Sequence, residues 1–178
     1  MTAGGVSFVG GLIEIASMIE NLRDILERRG AKRILIKGQQ TPSPSDMCLI
    51  LSNEEGLRLE NPEWAIVANV IGGLDPGHGN SFCIMEIPRR GYVQVLRGFN
   101  GYHVEWREGR RGNPGNCQHW RGAFPGGSTK PFELKKHDHI SAGEHRDLLP
   151  IEEVLECFSA FYRSAEKPDW LTWRTIVN

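Results

Sequence analysis

The chain has 178 residues, 39% hydrophobic and 24% charged, which suits one globular domain with a core that needs no metal or disulfide staple. Lysine plus arginine number 21 against 22 acidic residues, a net charge of −1, so the basic footprint of a general nucleic-acid binder is missing. No run of 18 apolar residues offers a membrane span, and the start, Met1 to Gly11, lacks the basic and apolar pattern of a signal peptide. The expected setting is cytoplasmic, with Cys48, Cys83, Cys117 and Cys157 as scattered free thiols.

In chain order, Val6 to Ile15 reads as a short strand or a lead-in to the first helix. Ser17 to Gly30 is a helix: Ser17 and Glu20 form a capping box, Met18, Ile19, Leu22, Ile25 and Leu26 share one face, and Gly30 suits the C-terminal turn. Ile34 to Ile36 is a strand, Gln39 to Asp46 a loop, and Met47 to Leu51 a strand. Asn61-Pro62 looks like a helix start, with Asn61 as the cap. Trp64 to Ile71 is then a short helix ending at Gly72-Gly73, although its β-branched content leaves a strand open. Asp75 to Asn80 is a loop.

From Ser81 the pattern turns to β. Phe82 to Ile87, Tyr92 to Arg97 and Tyr102 to Arg107 form an antiparallel meander with tight turns. In the third strand Tyr102, Val104 and Trp106 alternate with His103, Glu105 and Arg107, the period of a sheet with one buried and one wet face. Glu108 to Gly143 is irregular, with Cys117 to Phe124 as a possible fourth strand and the rest loop with strand fragments. Pro150 opens a helix to about Ser164, with Ile151, Val154, Leu155, Phe158, Phe161 and Tyr162 on one face. The tail, with Trp170, Leu171, Trp173 and Ile176, is apolar enough to dock on the body. The expected fold is α+β, a mainly antiparallel sheet with helices on one face.

Catalytic signals are thin. No GxxxxGK[ST], GxGxxG or GxSxG occurs. Cys117, His119, His137, His139 and His145 match no zinc spacing and read as polar loop residues. Glu152 and Glu153 sit in a first helical turn, where they complement the helix dipole. Cys83 and Cys157 read as core thiols. No catalytic residue, metal or cofactor is expected. Trp106 and Trp173 are assigned to the core. Trp120, in the irregular segment, is the better candidate for an interface, joined by His103, Glu105 and Arg107 on the wet face and by His137, Asp138, His139, Glu144 and Asp147.

Three blocks occur in order: the strand 92–97 with Gly-Tyr-His-Val-Glu-Trp-Arg-Glu-Gly at 101–109, Leu-Pro-Ile-Glu-Glu-Val-Leu-Glu-Cys-Phe-Ser-Ala-Phe at 149–161, and Pro-Asp-Trp-Leu-Thr-Trp-Arg at 168–174. They resemble Imm family one, the immunity proteins of bacterial polymorphic toxin systems. There a V-E-(Y/W)-R strand precedes an lp-ee-v…F helix and a closing W-x-x-W or L-T-W segment. The resemblance covers the last half of the chain, and the first half only in the order of its elements. Two stretches, 41–79 and 110–147, exceed the family pattern and read as loop-rich insertions in one domain, 1–178, where partner specificity could sit.

The resemblance implies an inhibitor that binds one cognate toxin domain, often a nucleic-acid deaminase, one-to-one, with no direct contact to nucleic acid or membrane. The other readings are a non-inhibitory adaptor on the same scaffold and a metal-dependent hydrolase built on the His/Cys set.

Overall fold

The computed structural model describes residues 48–109, 117–136 and 139–176. All lie in Ile36–Asn178, the second of two compact units into which the chain divides. The expected segments Val6–Ile15, Ser17–Gly30, Ile34–Ile36 and Gln39–Asp46 lie outside the described residues.

Among the described residues, seven strands make one antiparallel sheet in the order β2-β1-β3-β4-β5-β6-β9. They are β1 (Ile50–Asn53), β2 (Arg58–Glu60), β3 (Phe82–Ile87), β4 (Gly91–Gly98), β5 (Gly101–Glu108), β6 (Gln118–Ala123) and β9 (Thr172–Thr175). A separate hairpin pairs β7 (Pro131–Lys136) with β8 (His139–Glu144). The meander β3-β4-β5 falls where the alternation and tight turns place it. The fold is α+β, as the alternation and the amphipathic C-terminal pattern predict.

Among the described residues two α-helices, α1 (Trp64–Gly72) and α2 (Ile151–Ser164), cover one face of the sheet. Period two in β5 sends Val104 and Trp106 toward them and His103 and Glu105 away. The core between sheet and helices holds Leu51, Met85, Val93, Val95, Val104 and Trp106 against Val67, Ile71, Val154, Phe158 and Phe161. The helices meet where the Trp64 ring stands edge-on to Tyr162 at 5.6 Å, and the buried Tyr162 hydroxyl donates to the Pro62 carbonyl at 3.1 Å. For α1, burial of Val67 and Ile71 outweighs the β preference of its branched residues.

Asn61 does not cap α1. Glu63 holds the N-cap position without a side-chain bond. Asn61 adopts a left-handed φ of 47°, which asparagine tolerates, and its Oδ1 accepts from the Leu49 amide at 2.9 Å. It thus ties the end of β2 to the start of β1. The two supposed insertions also differ from expectation. Among their described residues, 41–79 holds β1, β2 and α1, and 110–147 holds β6, β7 and β8. Only Phe132 and Leu134 of β7 are apolar, alternating with Pro131, Glu133 and Lys135, too short a period-two run to separate from the surrounding loop sequence.

The hairpin lies over the face opposite the helices. Leu134 is fully buried against Gly98, where an added Cβ would fall 2.5 Å from the Leu134 Cγ. Glycine at 98 is therefore what allows β7 to seat on β4.

Candidate functional site

The residues that alternate outward from the helices gather on this second face. Register places Gln94 opposite Glu105, Glu105 opposite Arg121 and Arg107 opposite His119, and Arg121 opposite Arg174. Four strands thus contribute to one polar cluster, and the 3-10 turn His145–Asp147 closes it from the end of the hairpin.

Glu105 is the hub of one half. It accepts from Gln94 Nε2 at 2.6 Å and from Arg121 Nη2 at 2.8 Å, and His119 Nε2 lies 3.0 Å away. Burial alone would raise its carboxyl, but the His119 ring and the Arg121 guanidinium outweigh that and hold it down to about 2. Asp147 is the hub of the other half and is 0% exposed. Arg174 Nη2 donates to both of its oxygens, to Oδ1 at 2.6 Å. The Glu144 amide donates to it at 2.9 Å. Arg121 joins the halves: its Nη1 donates to the Ala142 carbonyl at 2.5 Å and stands 3.9 Å from Asp147. Glu144 pairs with Arg174 at 3.0 Å and with Arg146 at 2.6 Å.

Three arginines thus face three carboxylates, each engaged. Such a network fixes position, because every charge would be left desolvated and alone if its partner moved. Gly143 shows how tightly the parts fit: a Cβ there would stand 2.9 Å from Asp147 Oδ2 and 3.1 Å from His103 Cε1.

The expected interface residues fare unevenly. Glu105, Glu144 and Asp147 are brought together, but into this internal latch, and Asp147 has no exposed surface. His103 is 1% exposed and packs against the Phe132 ring at 6.2 Å. The wet face expected for β5 is therefore covered at that end by the hairpin. Arg107 remains partly exposed, its guanidinium 5.9 Å from the Tyr92 ring. Trp120 is not in a loop. It lies on β6 directly opposite Trp106, packs against the core, and carries the Lys167 ammonium 3.1 Å from its ring centroid. His139 belongs to β8 by its backbone; His137 and Asp138 lie outside the described residues. Arg121, Arg174 and Gln94 escaped the sequence reading, and His119 was weighed there only as a zinc ligand, because only strand register shows which polar residues face one another.

Other chemistry finds little footing. Among the described residues, no group of three or more His, Cys, Asp or Glu side chains is arranged to hold a metal ion. Burial pushes the Cys83 thiol up to about 12 and raises Cys157 as well, away from the reactive thiolate range. The Asp75–His78 pair, 2.7 Å apart, sits in an exposed turn where Asp75 also accepts from the Gly77 amide. Among the described residues no helix is long and apolar enough to cross a membrane.

Neither ring nitrogen of His103 has a hydrogen-bond partner among the described residues. Burial, aided by repulsion from Arg121, pushes its pKa from 6.5 down to about 4, against the pull of Asp147 and Glu105. The folded protein therefore keeps His103 neutral while the unfolded chain takes up a proton below pH 6.5. Stability should fall as pH drops from 6.5 toward 4, by about 2–3 kcal/mol. The Glu105 contribution holds down to about pH 4.5 and is lost as pH falls from there toward 2. Urea unfolding at pH 7 and pH 5 checks this: His103→Phe should flatten the difference, and an unchanged pH dependence would contradict the assignment.

No family model matches the chain, and no curated protein matches it either.

Proposed function

We propose that the chain is a cytoplasmic immunity protein that binds a cognate toxin domain, one-to-one, and neutralises it. The observation that carries this reading is where the three resembling blocks meet. Trp106, from the V-E-W-R strand, stands edge-on to Phe161 of the LPIEEV…F helix at 5.0 Å. It stands likewise to Trp173 of the closing L-T-W segment at 5.7 Å. Motifs spread over positions 92–174 thus have one physical reason to occur together: they build the aromatic centre of a single scaffold. The resemblance is therefore one of scaffold, and what the scaffold is used for is carried over from the family. A latch of paired charges on the second face agrees with a rigid binding body, since pre-organised surfaces lose least on association.

The toxin class the family implies is a nucleic-acid deaminase. The test is co-purification of this chain with the product of the adjacent gene, followed by calorimetric titration and a deaminase assay of that product on single-stranded DNA and RNA. A one-to-one complex and loss of toxin activity are expected. Free toxin activity in the presence of excess chain would overturn the reading.

A further inference from the structure

β7 and β8 pair with each other, and among the described residues they share no ladder with the seven-stranded sheet. Side chains seat them on it. Leu134 fills the space over Gly98, Phe132 stands edge-on to His103 at 6.2 Å, and Arg121 donates to the Ala142 carbonyl and to Ser141 Oγ. Leu134, although fully buried, lies outside the core cluster between sheet and helices. The hairpin is thus a second layer, and opening it leaves that core packed. Its base is anchored separately. The Phe124 amide donates to the Arg146 carbonyl at 2.9 Å, the Arg146 amide donates to the Ser128 carbonyl at 3.0 Å, and Asp147 is fastened to Arg174 on β9.

His103 sits beneath this layer. A Cβ on Gly143 would stand 3.1 Å from its Cε1, so β8 closes on the ring as β7 does through Phe132. The charges around it come from four elements. Glu105 on its own strand and Asp147 of the 3-10 turn favour a proton on the ring, and Arg121 of β6 and Arg174 of β9 oppose one. On β4 its register partner is the uncharged Leu96. On the hairpin Glu133 is exposed, and His145 packs on the Phe132 ring at 5.2 Å. Both carboxylates are already taken by arginines, and neither ring nitrogen has a partner among the described residues. A proton would therefore add a third positive charge beside Arg121 and Arg174 and an N–H with no acceptor, and water would relieve both.

We propose that the hairpin is an acid-released lid: when His103 takes up a proton, β7 and β8 swing off β4 and β5 about their anchored base while the sheet and both helices stay packed. The Glu105–Arg121 pair joins two strands of the sheet, so it does not have to break. A ring held near 4 under the seated hairpin, against 6.5 once wet, sets the size of the effect. The opening constant should rise about twentyfold between pH 7 and pH 5. The lid does not depend on what the chain binds.

Amide exchange on the full chain at pH 7 and pH 5, corrected for the intrinsic rates and repeated in low urea, reads the opening. The β7 and β8 amides should lose about twentyfold in protection at pH 5 and stay less protected than those of β3 and β4. They should also respond little to urea, because a local opening exposes little surface. His103→Phe should abolish the pH effect on the hairpin. The unaltered chain supplies a second readout that needs no variant: the His103 ring resonances should titrate below 6.5. Hairpin protection that does not fall, or that falls only together with β3 and β4 and with their urea dependence, would overturn the lid. So would an unchanged pH effect in folded His103→Phe, or a ring that titrates at 6.5 while the hairpin amides remain protected.

Discussion

Replacing Trp106 with alanine should destabilise the fold by about 3–5 kcal/mol. The indole is 0% exposed and is the point where three elements meet: β5 carries it, α2 contributes Phe161 and β9 contributes Trp173. Alanine would remove the transfer energy of the indole and leave a cavity that two rings, fixed on separate elements, cannot both close. The edge-to-face contacts add about 0.5–1.5 kcal/mol per pair, and these vanish as well. Trp106→Phe should recover part of the loss, since it keeps one ring against Phe161. Urea unfolding followed by far-ultraviolet circular dichroism would measure the effect. A loss below about 1 kcal/mol would mean that the three elements hold together without this contact.

Asp147→Ala should cost a comparable amount, about 3–5 kcal/mol, through a different mechanism. The side chain is small, so little packing is lost. Among the described residues, what remains is a partly buried Arg174 guanidinium whose carboxylate partner is Glu144 alone and an Arg121 whose carboxylate partner is Glu105 alone. The Glu144 amide also loses its acceptor, which costs about 1–3 kcal/mol for a buried donor. A double-mutant cycle with Arg174→Ala separates the terms: the double variant should be less unstable than the sum of the two singles. Strict additivity would show that the Arg174–Asp147 pair contributes nothing to stability.

The two effects mark how far the sequence alone reaches. Trp106 could be placed in the core from period two in β5, because alternation is a local property and the facing helix pattern at Ile151, Val154, Leu155 and Phe158 agrees with it. The same alternation put His103 and Glu105 on the other face, and that is where they are. What alternation cannot say is whether a face is wet. The hairpin that buries His103 depends on Leu134 reaching Gly98, a contact between residues far apart in the chain. The latch was illegible for the same reason. Arg121 and Arg174 are unremarkable in sequence and become partners of Glu105 and Asp147 only through the order of the strands. Trp120 was read as an interface residue although Cys117 to Phe124 already read as a possible fourth strand; β6 (Gln118–Ala123) packs it against the core, and truncating it should now lower the melting temperature.

The contact between α1 and α2 carries a consequence for the order of folding. The strands β3, β4 and β5 are joined by short turns, so their pairing closes small loops and can form early. The hydrogen bond from Tyr162 to Pro62 links positions 100 residues apart, and the Trp64 ring stands beside it. Closing so long a loop is repaid only when the sheet already offers both helices a surface. The Trp64–Tyr162 pair is thus a late event, and the indole beside that tyrosine is a natural optical reporter of the moment the two helices come together.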